Sequence, residues 1–131
     1  MAREKNPFIE YKLSHFNTKT IKRALSKNDI LKIINADCTN QGKLRQLTHD
    51  LFSFSYLCGG ISFVDIANLT RQNIVEDRLI YQRQKTHGNI NLLLSKEAST
   101  IIAKYSTYQQ EAEYLFPILH LSLIHISEPT R

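Results

Sequence analysis

Leu44, Leu47, Leu51, Phe54 and Cys58 recur at alternating spacings of three and four, which predicts a helix with those five side chains on one buried face. The pair Gly59–Gly60 should end it, because a helix terminates readily where the backbone turns left-handed. Before it, Ser26 and Asp29 form an S-x-x-D capping pattern ahead of Ile30, Leu31, Ile33 and Ile34, the apolar side of a shorter helix, and residues 38–42 read as a loop. A second S-x-x-D, Ser62 to Asp65, opens a short helix carrying Phe63, Ile66 and Leu69.

After Thr70 the period changes. Ile74–Val75, residues 79–84 and residues 90–94 are rich in β-formers, and they are separated by Glu76–Asp77 and by residues 86–89. That spacing predicts a three-stranded antiparallel meander with Lys85 at the end of its second strand. Ser95 caps a further helix with Ala98, Ile101, Ile102 and Tyr105 on its buried side, residues 109–113 form a polar connection, and residues 114–118 begin another apolar element. The expected class is α+β, mostly helical with a small three-stranded antiparallel sheet.

At 131 residues the chain is long enough for one domain with a modest core, and an apolar content of 42% argues against disorder. Residues 1–23 lack sustained periodicity and read as a basic connector or the end of a preceding domain. Residues 24–120 carry the patterned domain. Residues 121–131, LSLIHISEPTR, resemble translated sequencing-adapter read-through and are set aside from fold reasoning.

Charge adds a candidate partner. The net charge is +5, and between positions 12 and 32 six cations (Lys12, Lys19, Lys22, Arg23, Lys27 and Lys32) face a single acid, Asp29. A basic stretch suits a phosphate backbone, although a solvated basic face produces the same composition. Cys38 and Cys58 match no zinc or disulfide spacing, so reduced, partly buried thiols in a cytoplasmic protein are expected, with no metal and no cofactor. No apolar run is long enough for a membrane span and no signal-peptide core follows the charged N-terminus.

Four segments together carry a family resemblance: YKLSHFNTKTIKRALSKNDILKI, DLFSFSYLCGGISFVDIANLTRQNI, RLIYQRQKTHGNINLLL and YLFPIL, within residues 8–119. The chain resembles the N-terminal half of the catalytic domain of tyrosine recombinases, the phage-integrase-like enzymes of Bacteroides-type bacteria; the second and third segments are the specific ones. The resemblance implies DNA integration and recombination, in which a tyrosine hydroxyl attacks the scissile phosphate and cationic side chains stabilise the transition state. It implies double-stranded DNA as partner and self-association of the full-length protein on DNA.

Residue by residue, the resemblance makes Lys85 the catalytic lysine, a general acid toward the leaving oxygen, and Asp65 an acidic support of the active site. Lys19, Lys22, Arg23 and Arg83 become DNA contacts, with Arg78 a further candidate; His87 stands where relatives often have glycine and is expected to be a turn residue. Relatives typically read C-R-G-[MI]-x-F-x-D, whereas this chain reads CGGISFVD, with Gly59 at the first arginine's position. Neither an H-x-x-R motif nor the nucleophilic tyrosine can be assigned within these residues. Two alternatives stay open: a catalytically dead relative acting as a DNA-binding accessory module, and an unrelated basic α+β domain with a protein partner.

Overall fold

A computed structural model describes residues 23–108 and 113–119. In chain order the elements are α1 (Lys27–Ile34), α2 (Lys43–Leu57), α3 (Phe63–Ala67), a 3₁₀ turn (Arg71–Asn73), β1 (Ile74–Val75), β2 (Arg78–Gln82), β3 (Asn89–Leu93) and α4 (Lys96–Tyr108). The strands form one antiparallel sheet in the order β1-β2-β3. The α+β class with a small three-stranded sheet is therefore observed. Among the described residues no helix is long and apolar enough to cross a membrane.

Both S-x-x-D patterns act as caps. The Ser26 and Ser62 hydroxyls accept from the backbone N–H groups of Asp29 and Asp65, satisfying donors that the first turn leaves open. Ser95 does the same for Ala98 N–H at the start of α4. The glycine pair ends α2 in a Schellman motif: Gly60 N–H donates to Ser55 O at 2.8 Å and Gly59 N–H to Tyr56 O at 3.2 Å, with Gly59 at φ +74°.

One core joins α2, α3, the sheet and α4. Leu47, Leu51 and Phe54 of α2 and Cys58 at its C-cap are buried, as the periodicity predicts, together with Ile66, Leu69, Leu79, Tyr81, Ala98, Ile102 and Tyr105. Three positions differ from the sequence expectation. Leu44 is 52% exposed, because the buried face of α2 begins one turn later; Phe63 is 62% exposed, because α3 turns Asp65, Ile66 and Ala67 inward instead; and α1 buries no residue fully, its apolar side being only half covered by α2.

The apolar segment after α4 closes the core. Leu115, Phe116 and Ile118 are buried, Leu115 N–H donates to Leu69 O at 2.7 Å, and Tyr114 bridges Thr70. Phe116 meets Phe54 and Tyr105 edge-on at centroid distances of 5.1 and 5.5 Å, the T-shaped arrangement aromatic quadrupoles favour. In the sheet, Asn73 fixes the entry to β1: its side chain accepts from Thr70 N–H and donates to Ile80 O.

Candidate functional site

The β2–β3 connection is longer than the pattern predicts. Residues 79–84 read as one strand from their composition, but pairing stops at Gln82↔Asn89, and Lys85 lies within the connecting turn, not at a strand end. The turn is closed by Arg83 N–H donating to Gly88 O and His87 N–H to Arg83 O, both at 2.9 Å. His87 adopts φ +55°, a left-handed conformation that glycine takes without strain, which makes it a turn residue as expected.

Asp65 fastens this turn to the start of α3. It is 5% exposed; its Oδ1 accepts from Gln84 N–H at 2.9 Å, and its Oδ2 accepts from the Ser62 hydroxyl at 2.7 Å. The cap and the link to the turn thus use different atoms of one carboxylate: the Ser62 side is local, and the Gln84 side reaches nineteen residues along the chain. Ser62, Val64, Asp65, Arg83, Gln84, Lys85 and Thr86 line one open cleft. Arg83 and Lys85 are exposed on it, and among the described residues neither has an ion-pair partner.

Asp65→Ala should cost about 1.5–3 kcal/mol, the range for hydrogen bonds to a charged group, and should raise amide exchange at Gln84. Urea unfolding combined with hydrogen exchange measures both; a fully protected Gln84 amide in the variant would count against the carboxylate as the fastener.

The remaining predicted site residues are not in that cleft. Gly59 is absent from its lining and serves as the left-handed residue ending α2; a β-carbon built there meets no atom within 4 Å, so the conformation, not crowding, is what favours glycine. Arg23 is exposed at the first described position, away from the cleft lining, and Lys19 and Lys22 lie outside the described residues. Arg78 commits its Nε to Asn91 Oδ1 across the sheet at 2.6 Å.

Comparison with known proteins returns no match: no family model, no curated protein and no solved structure aligns significantly with this chain. The functional reading consequently rests on the residues themselves.

A second polar cluster was not legible in the sequence as a unit. Asp50, 8% exposed on α2, accepts at Oδ2 from Lys104 Nζ and from the Tyr105 hydroxyl, both at 2.6 Å, while His49 Nδ1 lies 3.4 Å from its Oδ1. Burial alone would raise the Asp50 carboxyl pKa, but Lys104, Tyr105 and His49 together outweigh it and hold the group below the usual carboxylate range. Asp50 and Lys104 are 54 positions apart, so only the packing of α4 on α2 brings them together. Burial pushes the Cys58 thiol up to about 11, leaving it protonated and unreactive near neutral pH. Among the described residues no group of three or more His, Cys, Asp or Glu side chains could hold a metal ion.

Proposed function

We propose that this chain is a portion of a site-specific tyrosine recombinase or integrase and that its β2–β3 turn contacts the phosphate backbone of double-stranded DNA. The observation that carries the reading is the Asp65–Gln84 bond. It ties the SFVD helix start to the RQKT turn, the two segments most specific for the resemblance, and leaves Arg83 and Lys85 on one cleft with no ion-pair partner among the described residues.

The chemistry of this arrangement is electrostatic. Arg83 offers a planar guanidinium suited to paired bonds with phosphate oxygens, and Lys85 a compact ammonium that can deliver a proton to a leaving oxygen. Asp65 lines the same cleft, and its bonds to Ser62 and Gln84 make it a positioning residue that holds the turn carrying Arg83 and Lys85. Strand cleavage would further require a tyrosine nucleophile and an H-x-x-R motif, neither of which is assigned in these 131 residues. The role proposed for this portion is therefore DNA contact and orientation of Lys85, with the full-length protein self-associating on its DNA.

Binding of a labelled duplex, followed by fluorescence anisotropy between about 50 and 200 mM salt, tests the reading. The affinity should fall linearly on a log–log plot, and Arg83→Ala with Lys85→Ala should flatten the slope by roughly 0.9 for each phosphate that is no longer neutralised. Both side chains are exposed, so stability should change by no more than about 0.5 kcal/mol. A salt-independent affinity, or an unchanged slope in the double variant, would overturn it.

Gly59 favours a second reading, an accessory DNA-binding relative without cleavage activity, because glycine supplies no cation at the first arginine's position. A nicked suicide substrate given to the full-length protein separates the two readings: a covalent DNA adduct supports the enzyme, and an adduct formed only after Gly59→Arg supports the accessory module.

A further inference from the structure

The two edges of the sheet are built differently. β1 is two residues long and runs into the charged pair Glu76–Asp77, whereas β3 runs for five residues, Asn89–Leu93, with neither a charge nor a proline. Charge, proline and brevity are what keep an edge strand from pairing with another chain, and β3 carries no charge and no proline.

The bonds at the two ends of the β2–β3 pairing fix which backbone groups of β3 face outward. Arg83 N–H donates to Gly88 O at 2.9 Å and Leu94 N–H to Asp77 O at 2.8 Å, so the β3 residues that exchange bonds with β2 are Ile90 and Leu92. The N–H and C=O groups of Asn89, Asn91 and Leu93 point away from β2, and among the described residues nothing bonds to them. All three residues are exposed, Leu93 at 61%. We propose that this edge pairs antiparallel with β3 of a second copy of the chain, about a two-fold axis at Asn91.

The strand is complementary to itself. Centring the pair on Asn91 uses all five residues and sets Asn91 against Asn91 and Asn89 against Leu93, so every open N–H meets an open C=O. The same register sets Ile90 against Leu92 on the core side of the sheet. Both are packed against the core yet only half-buried in the single chain, and in the pair each covers the other. Charge also favours a second copy. The chain as a whole carries +5, but the row that begins with Arg78 and Leu93 continues into Asn89 and Gln82 of the second copy, so no like charges stand opposite one another. A charged peptide strand would find no counter-charge on β3. The pairing needs no DNA, so it stands or falls separately from the proposed role of the β2–β3 turn.

Sedimentation of the whole chain should reveal a reversible dimer populated between about 10 μM and about 1 mM, weak because one strand pair buries less than a standard interface. Amide exchange at the two ends of that range reads the geometry directly. Protection of the Asn89, Asn91 and Leu93 amides should rise several-fold with concentration, while the Ile90 and Leu92 amides, already bonded to β2, stay protected throughout. Mild oxidation supplies the register: Asn91→Cys should form a disulfide-linked dimer, because residues facing each other in such a pair lie about 5.5 Å apart at Cα, and Asn89→Cys, which faces Leu93, should not. Both variants retain Cys38 and Cys58, so the comparison cancels any cross-link made by those thiols. A monomer across the whole range, a dimer whose protection does not alternate along β3, or equal cross-linking at positions 89 and 91 would each overturn the proposal.

Discussion

Phe116→Ala should unfold the chain or lower its stability by about 3–5 kcal/mol, the range for removing a buried aromatic ring from a close-packed core. The ring is 1% exposed and sits edge-on to both Phe54 and Tyr105, so its loss leaves a void at the junction of α2 and α4 that neither rigid helix can collapse to fill. Leu115 is held by a backbone bond to Leu69, which keeps the segment in place and prevents it from sliding into the gap. Urea unfolding followed by circular dichroism measures the effect. Phe116→Leu, which refills most of the volume, should recover the larger part of the loss. A loss below about 1 kcal/mol for the alanine variant would mean that the segment is not part of the cooperative core.

Asp50→Ala should cost about 2–4 kcal/mol at neutral pH, less than for a fully enclosed ion pair because Lys104 keeps 35% of its side-chain surface in water. The loss removes two short hydrogen bonds, from Lys104 and Tyr105, to a nearly buried carboxylate. Its pH dependence has a definite sign. Folding lowers the Asp50 pKa, so the ionised carboxylate stabilises the native state above its unfolded-state value of about 3.9, and that stabilisation disappears as pH falls through the lower folded value. Wild type and variant should therefore differ fully at neutral pH and converge in strong acid, as read from denaturant midpoints across the acid range. Curves that remain parallel below about pH 3 would show that packing, and not the charge on Asp50, accounts for the difference.

The sequence is most informative where structure is local. Ser26, Ser62 and Ser95 each cap the helix their spacing predicts, and the glycine pair ends α2 because the Schellman motif needs only consecutive residues. Strand pairing is partly legible. The two-residue Glu76–Asp77 turn fixes the first hairpin, whereas β-forming composition overextends β2, since Arg83 and Gln84 belong to a turn closed by backbone bonds that composition does not reveal. Burial on α2 is legible from Leu47 onward and fails at Leu44, which is 52% exposed, a matter of tertiary contact and not of periodicity.

The candidate site divides in the same way. The placement of Lys85 near Asp65 is suggested by family resemblance, but the bond that makes them one unit runs from a carboxylate to a backbone amide, and Gln84 contributes to it nothing that depends on side-chain type. The Asp50 cluster escapes a reading of the sequence for a different reason: His49 next to Asp50 looks like an isolated polar pair until α4 delivers Lys104 and Tyr105. The C-terminal apolar segment shows the opposite case. Its composition marks it as a core piece, and its position over Tyr105 covers a helix face that the sequence alone leaves without a neighbour.

The left-handed turn at Gly59 also bears on how easily this chain could change. A β-carbon at that position would meet no atom within 4 Å, so the cost of leaving glycine there starts with the backbone one, about 1–2 kcal/mol for a non-glycine residue in the left-handed region. Every glycine codon becomes an arginine codon by replacing its first base. The protein with glycine and the protein with a cation are thus adjacent in mutational space, separated by one nucleotide and by a backbone penalty at the end of α2.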